Sequence, residues 1–186
     1  MGTKSKLGQA ALLIGSVHMP VSAMASDHQG HHHHEFQAHQ AHRHGEGLLT
    51  LVQDQNLVQI SLEVDTHSLW GFEHAPADEA QWAQVEQVLT RLEQGHALFS
   101  LNDQAQCRPD GVNLNRPEGL DRPSASGHMA LEADWQWRCE NPSALNQLGV
   151  TLFAQFPDLH SLTVQRLTAQ GSGGGQLDRQ HTTLSW

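Results

Sequence analysis

Residues 47–64 read GLLTLVQDQNLVQISLEV. In the second half, Val58, Ile60, Leu62 and Val64 alternate with Gln59, Ser61 and Glu63. A period of two sends one set to a core and the other to water, so this run is a half-buried strand. Leu49 and Leu51 alternate in the first half, and Asp54-Gln55-Asn56 between the halves is turn-prone. The stretch predicts a β-hairpin.

Toward the C-terminus, LWGFEHAPADEA (69–80) reads as a loop that leads into a helix. From Ala77 to Glu93 the apolar residues Val85, Val88, Leu89 and Leu92 fall on one helical face, and Gly95 ends it. HALFSL (96–101) reads as a short strand. Residues 108–127 are rich in Pro, Asp, Asn, Gly and Ser, with a short strand at Val112 and Leu114. In HMALEADWQWRC (128–139), Leu131, Ala133, Trp135, Trp137 and Cys139 share one face, and Glu132, Asp134, Gln136 and Arg138 the other. That is a strand with one wet face. Asn141-Pro142 predicts a second helix start, with Leu145, Leu148, Leu152, Phe153 and Phe156 as its stripe and Pro157 as its stop. LHSLTVQRLTAQ and GQLDRQHTTLSW predict two last strands joined by SGGG at 172–175. The order ββ-α-βββ-α-ββ predicts an α+β fold with antiparallel β-sheets and two α-helices.

Toward the N-terminus, residues 26–44 are polar and dense in histidine, and are expected not to pack into a core. Eight of the nineteen residues 27–45 are histidine: His28, His31, His32, His33, His34, His39, His42 and His44. Ahead of them, Lys4 and Lys6 form a positive end, Leu7 to Val17 a short apolar run, and Ala23-Met24-Ala25 a small-x-small site. This is the layout of a secretory signal peptide at 1–25, and the apolar run is too short for a membrane span. The expected mature chain starts at Ser26, is exported and soluble, and folds from about residue 45 to 186. About 140 residues are enough for one core.

Both lysines lie in the leader, and no carboxylate does. The mature chain therefore carries 8 arginines against 20 carboxylates, a net charge of −12, compared with −10 for the whole chain. Such a surface repels nucleic acid and anionic lipid and attracts cations. Cys107 and Cys139 are the only cysteines. In an oxidising compartment the simplest reading is one disulfide over a separation of 32 residues. Thiolate metal ligation is the alternative, but isolated cysteines without C-x-x-C spacing are a poor zinc signature.

Neutral imidazole is a common ligand for zinc, copper and nickel. His31 to His34 offer four adjacent imidazoles, whose ordering on a metal costs entropy and limits affinity. His39, His42 and His44 adjoin the first strand, and His42-x-His44 puts two side chains on one face of an extended segment. An expression tag or a solvated low-complexity run are the bland alternatives for the tract. His67, His96, His160 and His181 stand singly and read as surface or packed histidines. His74 sits in GFEHAP, where Glu73 can ligate or orient it, and His128 opens the tryptophan-rich strand.

AHRHGEGLLTLV, LWGFEHAP, AQCRPDG, GHMALEADWQWRC and LFAQFPDL follow one another in this order. Together they resemble the ZrgA-like family of periplasmic zinc-uptake proteins, from about Ala41 to Trp186. The resemblance implies an exported zinc-binding protein that serves an ABC-type importer. It points to His42, His44, His74 and His128 as metal ligands, with the remaining tract histidines as accessory ligands. Two departures stand out. Ala130 occupies the place, two residues after His128, where family members often have an acidic residue, so Glu73 or a water must substitute. Val64-Asp65 replaces a proline in the strand before the GFEH loop, which bears on geometry more than on chemistry.

Zinc takes four ligands in a tetrahedron, which four histidines satisfy, as do three with a carboxylate or water. A buffer or sensor for copper or nickel is the second reading, because copper(II) outranks zinc at nitrogen sites. Met1, Met19 and Met24 lie in the leader and leave only Met129, which counts against copper(I). A zinc hydrolase is the third. H-E-x-x-H and a nucleophile elbow are both missing, and Glu73 is the one candidate base, so no enzymatic activity is expected.

Overall fold

The computed structural model describes residues 43–117, 119–122 and 128–186. The leader at 1–25 and the tract from His28 to His42 lie outside the described residues. Among the described residues nine strands and three α-helices follow in the order β1 (Glu46–Asp54), β2 (Leu57–Asp65), α1 (His67–Trp70), α2 (Glu79–Glu93), β3 (Phe99–Leu101), β4 (Cys107–Asn115), β5 (Ala130–Cys139), β6 (Gln147–Val150), α3 (Leu152–Gln155), β7 (Ser161–Thr168), β8 (Gly171–Asp178) and β9 (Thr183–Ser185). Six strands make one sheet, β4-β5-β2-β1-β7-β8, and three make a second, β3-β6-β9.

The expected hairpin is β1–β2, with Leu49 opposite Leu62 and Leu51 opposite Ile60. The turn places Gln55 at φ 54, left-handed backbone that a two-residue reversal demands. On its other side β2 pairs antiparallel with β5, Ile60 facing Trp135. The alternating residues of all three strands are buried on one face, Leu49, Val58, Ile60 and Leu131 completely. The helix α2 adds Val85, Val88, Leu89 and Leu92 to the same core. Asp78 begins it by accepting the Gln81 N–H at 2.9 Å. At its other end the Trp135 indole N–H donates to the Leu92 carbonyl at 2.8 Å, satisfying an acceptor the helix itself leaves open. Gly95 follows because a Cβ there would fall inside the Trp135 indole.

Two expectations need correction. The second long helix does not form. Its segment becomes a 3-10 turn at Pro142–Ala144, the strand β6 and the single turn α3. Gly149, Val150 and Thr151 in its middle are poor helix formers, and pairing with β3 and β9 wins. Leu145, Leu148, Leu152, Phe153 and Phe156 are buried as expected, by a different route. The glycines 173–175 are not a hairpin tip but lie within β8, and the reversal falls at Ala169-Gln170. A Cβ on Gly174 would meet the Val164 carbonyl, and one on Gly173 the Arg166 guanidinium. The bare strand leaves room for Arg166, which stacks over Trp186 at 4.8 Å. The expected α+β fold holds, with antiparallel pairing everywhere except between β1 and β7, which run parallel, Leu49 beside Val164.

The disulfide joins Cys107 to Cys139, directly opposite each other in the β4–β5 ladder. The edge strand β4 is almost wholly exposed, with a bulge between Pro109 and Gly111. Little apolar burial holds it, so the covalent link carries much of its attachment. Closing a separation of 32 residues is worth about 3–4 kcal/mol on the chain-entropy estimate. Changing Cys107 and Cys139 together to serine is expected to lower Tm by about 10 °C in a thermal melt. The number of bound metal ions is expected to stay the same.

Candidate metal centre

The strand β2 is antiparallel to both neighbours, so its end lies beside the starts of β1 and β5. Gly47 faces Val64, and Asp65 faces Ala130. The Thr66 N–H continues the ladder by donating to the Met129 carbonyl at 2.9 Å. Three pieces of chain distant in sequence therefore meet at one end of the sheet. His44 comes with the approach to β1, and His128 with the approach to β5. Asp65, His67 and Glu73 come from the end of β2 and the turn after it. That turn is α1, a single turn closed by Gly71 at φ 86. Left-handed backbone there reverses the chain and lets 72–75 run back past the sheet end.

Two groups of ligand atoms result, each within 4.8 Å: His44, Glu73 and His128, and His44, Asp65 and His67. His44 belongs to both. Its Nδ1 lies 3.5 Å from Asp65 Oδ1 and 3.8 Å from Glu73 Oε1. His128 Nδ1 and Glu73 Oε2 are 2.7 Å apart. The His44 ring is 4.6 Å from that of His67 and 6.2 Å from that of His128, between centroids. The carboxylates are sunk, with side-chain exposure of 14% for Glu73 and 1% for Asp65. The outer imidazoles are open, 51% for His44 and 70% for His128.

Two polar atoms in this box, Glu73 Oε1 and His67 Nδ1, are buried with no hydrogen-bond partner. A buried acceptor left unpaired costs about 1–3 kcal/mol, and more when charged. A cation placed among them would remove that cost. The two groups, joined at His44, offer three imidazoles and two carboxylates, nitrogen and oxygen donors of the kind zinc takes.

Of the residues singled out in the sequence, His44, Glu73 and His128 come together. His42 and the tract histidines His28, His31, His32, His33, His34 and His39 lie outside the described residues. His74 stands outside both groups. Its Nδ1 is 2.9 Å from the Ala75 carbonyl, and its ring stacks on Phe72 at 4.8 Å. Asp65 and His67 were not read as ligand candidates. The signal available for them was Asp65-x-His67 at the end of a strand that also begins the GFEH loop. Nothing in it distinguished His67 from the other single histidines until the turn of α1 was known.

A family model described as ZrgA family zinc uptake protein matches residues 41–186, and the chain belongs to that family. No curated protein matches the chain. None of the helices among the described residues is long and apolar enough to cross a membrane.

The geometry separates the two histidines of the loop. His67→Ala is expected to weaken the tightest zinc site by more than about 100-fold, beyond what an orienting group contributes. His74→Ala is expected to leave it within error of the unaltered protein. Competition against a chromophoric chelator measures both.

Proposed function

From membership of a zinc-uptake family and from the geometry of the box, we propose that this protein captures zinc with His44, His67, His128 and Glu73. It then passes the ion to an ABC-type importer. The Glu73 oxygen that is buried without a hydrogen bond, grouped with His44 and His128, carries this reading. The exposure of His44 and His128 supports capture and release, whereas a purely structural zinc site is closed by its ligands. Glu73, the one candidate base, is engaged by His128 at 2.7 Å, which favours a binding protein over a hydrolase. The leader pattern at 1–25 supports export, and the periplasm is the compartment where such a carrier works.

The histidine tract reaches His44 within the same chain, His42 being two residues away. Tethered imidazoles raise the local concentration of metal near the box. His42, His39, His31 to His34 and His28 thus serve as collectors, with the box as the specific site.

Elemental analysis and competitive zinc titration test this on the chain freed of residues 1–25, with and without residues 28–38. One tight zinc is expected in both forms, with weaker ions lost on truncation. Loss of the tight ion on truncation would move the specific site to the tract. Copper and nickel titrations run alongside, and a tighter fit to either at equal occupancy would favour a buffer or sensor for that metal. Delivery is read in cells starved of zinc, where His44→Ala is expected to slow growth.

A further inference from the structure

The two carboxylates of the box are not equivalent. Glu73 keeps one oxygen, Oε1, buried without a hydrogen bond, with His44 Nδ1 at 3.8 Å. Asp65 is 1% exposed, and both its oxygens are taken by a single residue. Oδ1 accepts the Ser68 N–H at 2.9 Å, and Oδ2 accepts the Ser68 hydroxyl at 2.5 Å. The same hydroxyl accepts the Gly45 N–H at 2.8 Å. All three contacts are buried. They run from the residue after His44, through Ser68 beside His67, to Asp65 at the end of β2.

Each link has a geometric reason. Gly45 sits at φ +85, and its carbonyl accepts the N–H groups of both His160 and Ser161. The backbone that carries His44 is therefore pinned on one side to β7 and on the other to Ser68. Asp65 holds the first turn of α1 by its backbone N–H, and so fixes the neighbouring His67. His44 Nδ1 lies 3.5 Å from Asp65 Oδ1, an ion-pair distance longer than the Ser68 contacts.

The geometry points to a division of labour: Glu73 is the carboxylate ligand, while Asp65 and Ser68 are positioning residues that hold His44 and His67 in register without touching the ion. This rests on the zinc-binding reading of the box. Each Asp65 oxygen already accepts a buried hydrogen bond, whereas Glu73 Oε1 accepts none, so Glu73 offers the freer oxygen to an ion. The Asp65 hydrogen bonds also give the box its preorganisation, because loose imidazoles would have to be ordered at each capture.

The test uses the chain freed of residues 1–25, with zinc competition and the visible absorption of the cobalt(II) form as readouts. Ser68→Ala and Asp65→Asn are each expected to keep one tight ion, with affinity lowered about 10–100-fold. Their cobalt spectra are expected to match that of the unaltered protein, and Ser68→Thr, which keeps the hydroxyl, to recover most of the affinity. Glu73→Gln is expected to shift the spectrum. Unchanged affinity in both Ser68→Ala and Asp65→Asn, beside a weakened Glu73→Gln, would overturn the positioning role and leave the site itself standing. A shift in Asp65→Asn like that in Glu73→Gln would make Asp65 a ligand. Unaltered tight binding in Glu73→Gln and His44→Ala would overturn the zinc box and this inference with it. Thermal melts on each variant separate a lost fold from a lost site.

Discussion

The antiparallel pairing of β2 with both β1 and β5 is the constraint on which the rest depends. A strand with an antiparallel partner on each side puts its own end next to two beginnings. His44 and His128 are 84 positions apart in the chain, yet each lies just ahead of a strand that starts at that end. The register is fixed by burial. A slip of one residue would turn Val58, Ile60, Leu62 and Val64 to water and Gln59 and Ser61 to the core. The apolar pattern of the hairpin therefore sets where His44, Asp65 and His128 meet.

Packing on the sheet follows from one bulky contact. Trp135 is buried on β5, bonds the last turn of α2, and excludes any side chain from residue 95. Phe99 closes over it at 4.8 Å. The helix is thus located by its end as well as by its stripe. The site end of the sheet has less of this insurance. There the chain is held by the Gly45, Ser68 and Asp65 contacts and by the short helix α1. Polar groups so deep are worth their desolvation only when satisfied. Asp65 meets that condition within the protein. Glu73 meets it at Oε2, through His128, but not at Oε1, and this contrast between the two carboxylates gives the box its chemical character.

The exposure of the box is graded in a way that suits a cargo more than a structural ion. His128 and His44 face solvent, His67 is half-buried, and the carboxylates lie beneath. An ion can meet the outer imidazoles first and complete its shell from below. The disulfide sits at the opposite end of β5 from His128. Stability and binding are thereby supplied at different ends of the same strand.

Much was legible in the chain itself. Strict alternation identified β1, β2 and β5, because a half-buried strand leaves a period of two that nothing else imitates. Spacing identified α2 and its end at Gly95. The family motifs pointed to His42, His44, His74 and His128, with Glu73 beside them, and of these the described residues bring together His44, Glu73 and His128. The segment 141–157 misled because its apolar residues suit a helical stripe, and only its partners β3 and β9 make a strand of its middle. The glycines of β8 misled because a run without side chains looks like a turn until Arg166 is seen to need the space. His67 and Asp65 were invisible as site residues for a deeper reason. Sequence records which side chains are available, but closeness between 44, 65, 67, 73 and 128 is created by strand register and by the one turn of α1. Those are properties of pairing and burial summed over the whole sheet. The sequence by itself determined the alternating strands β1, β2 and β5, the leader pattern and the supply of imidazoles, all of which are local. Only the tertiary structure decided which imidazoles come together, because that depends on where distant strand ends meet.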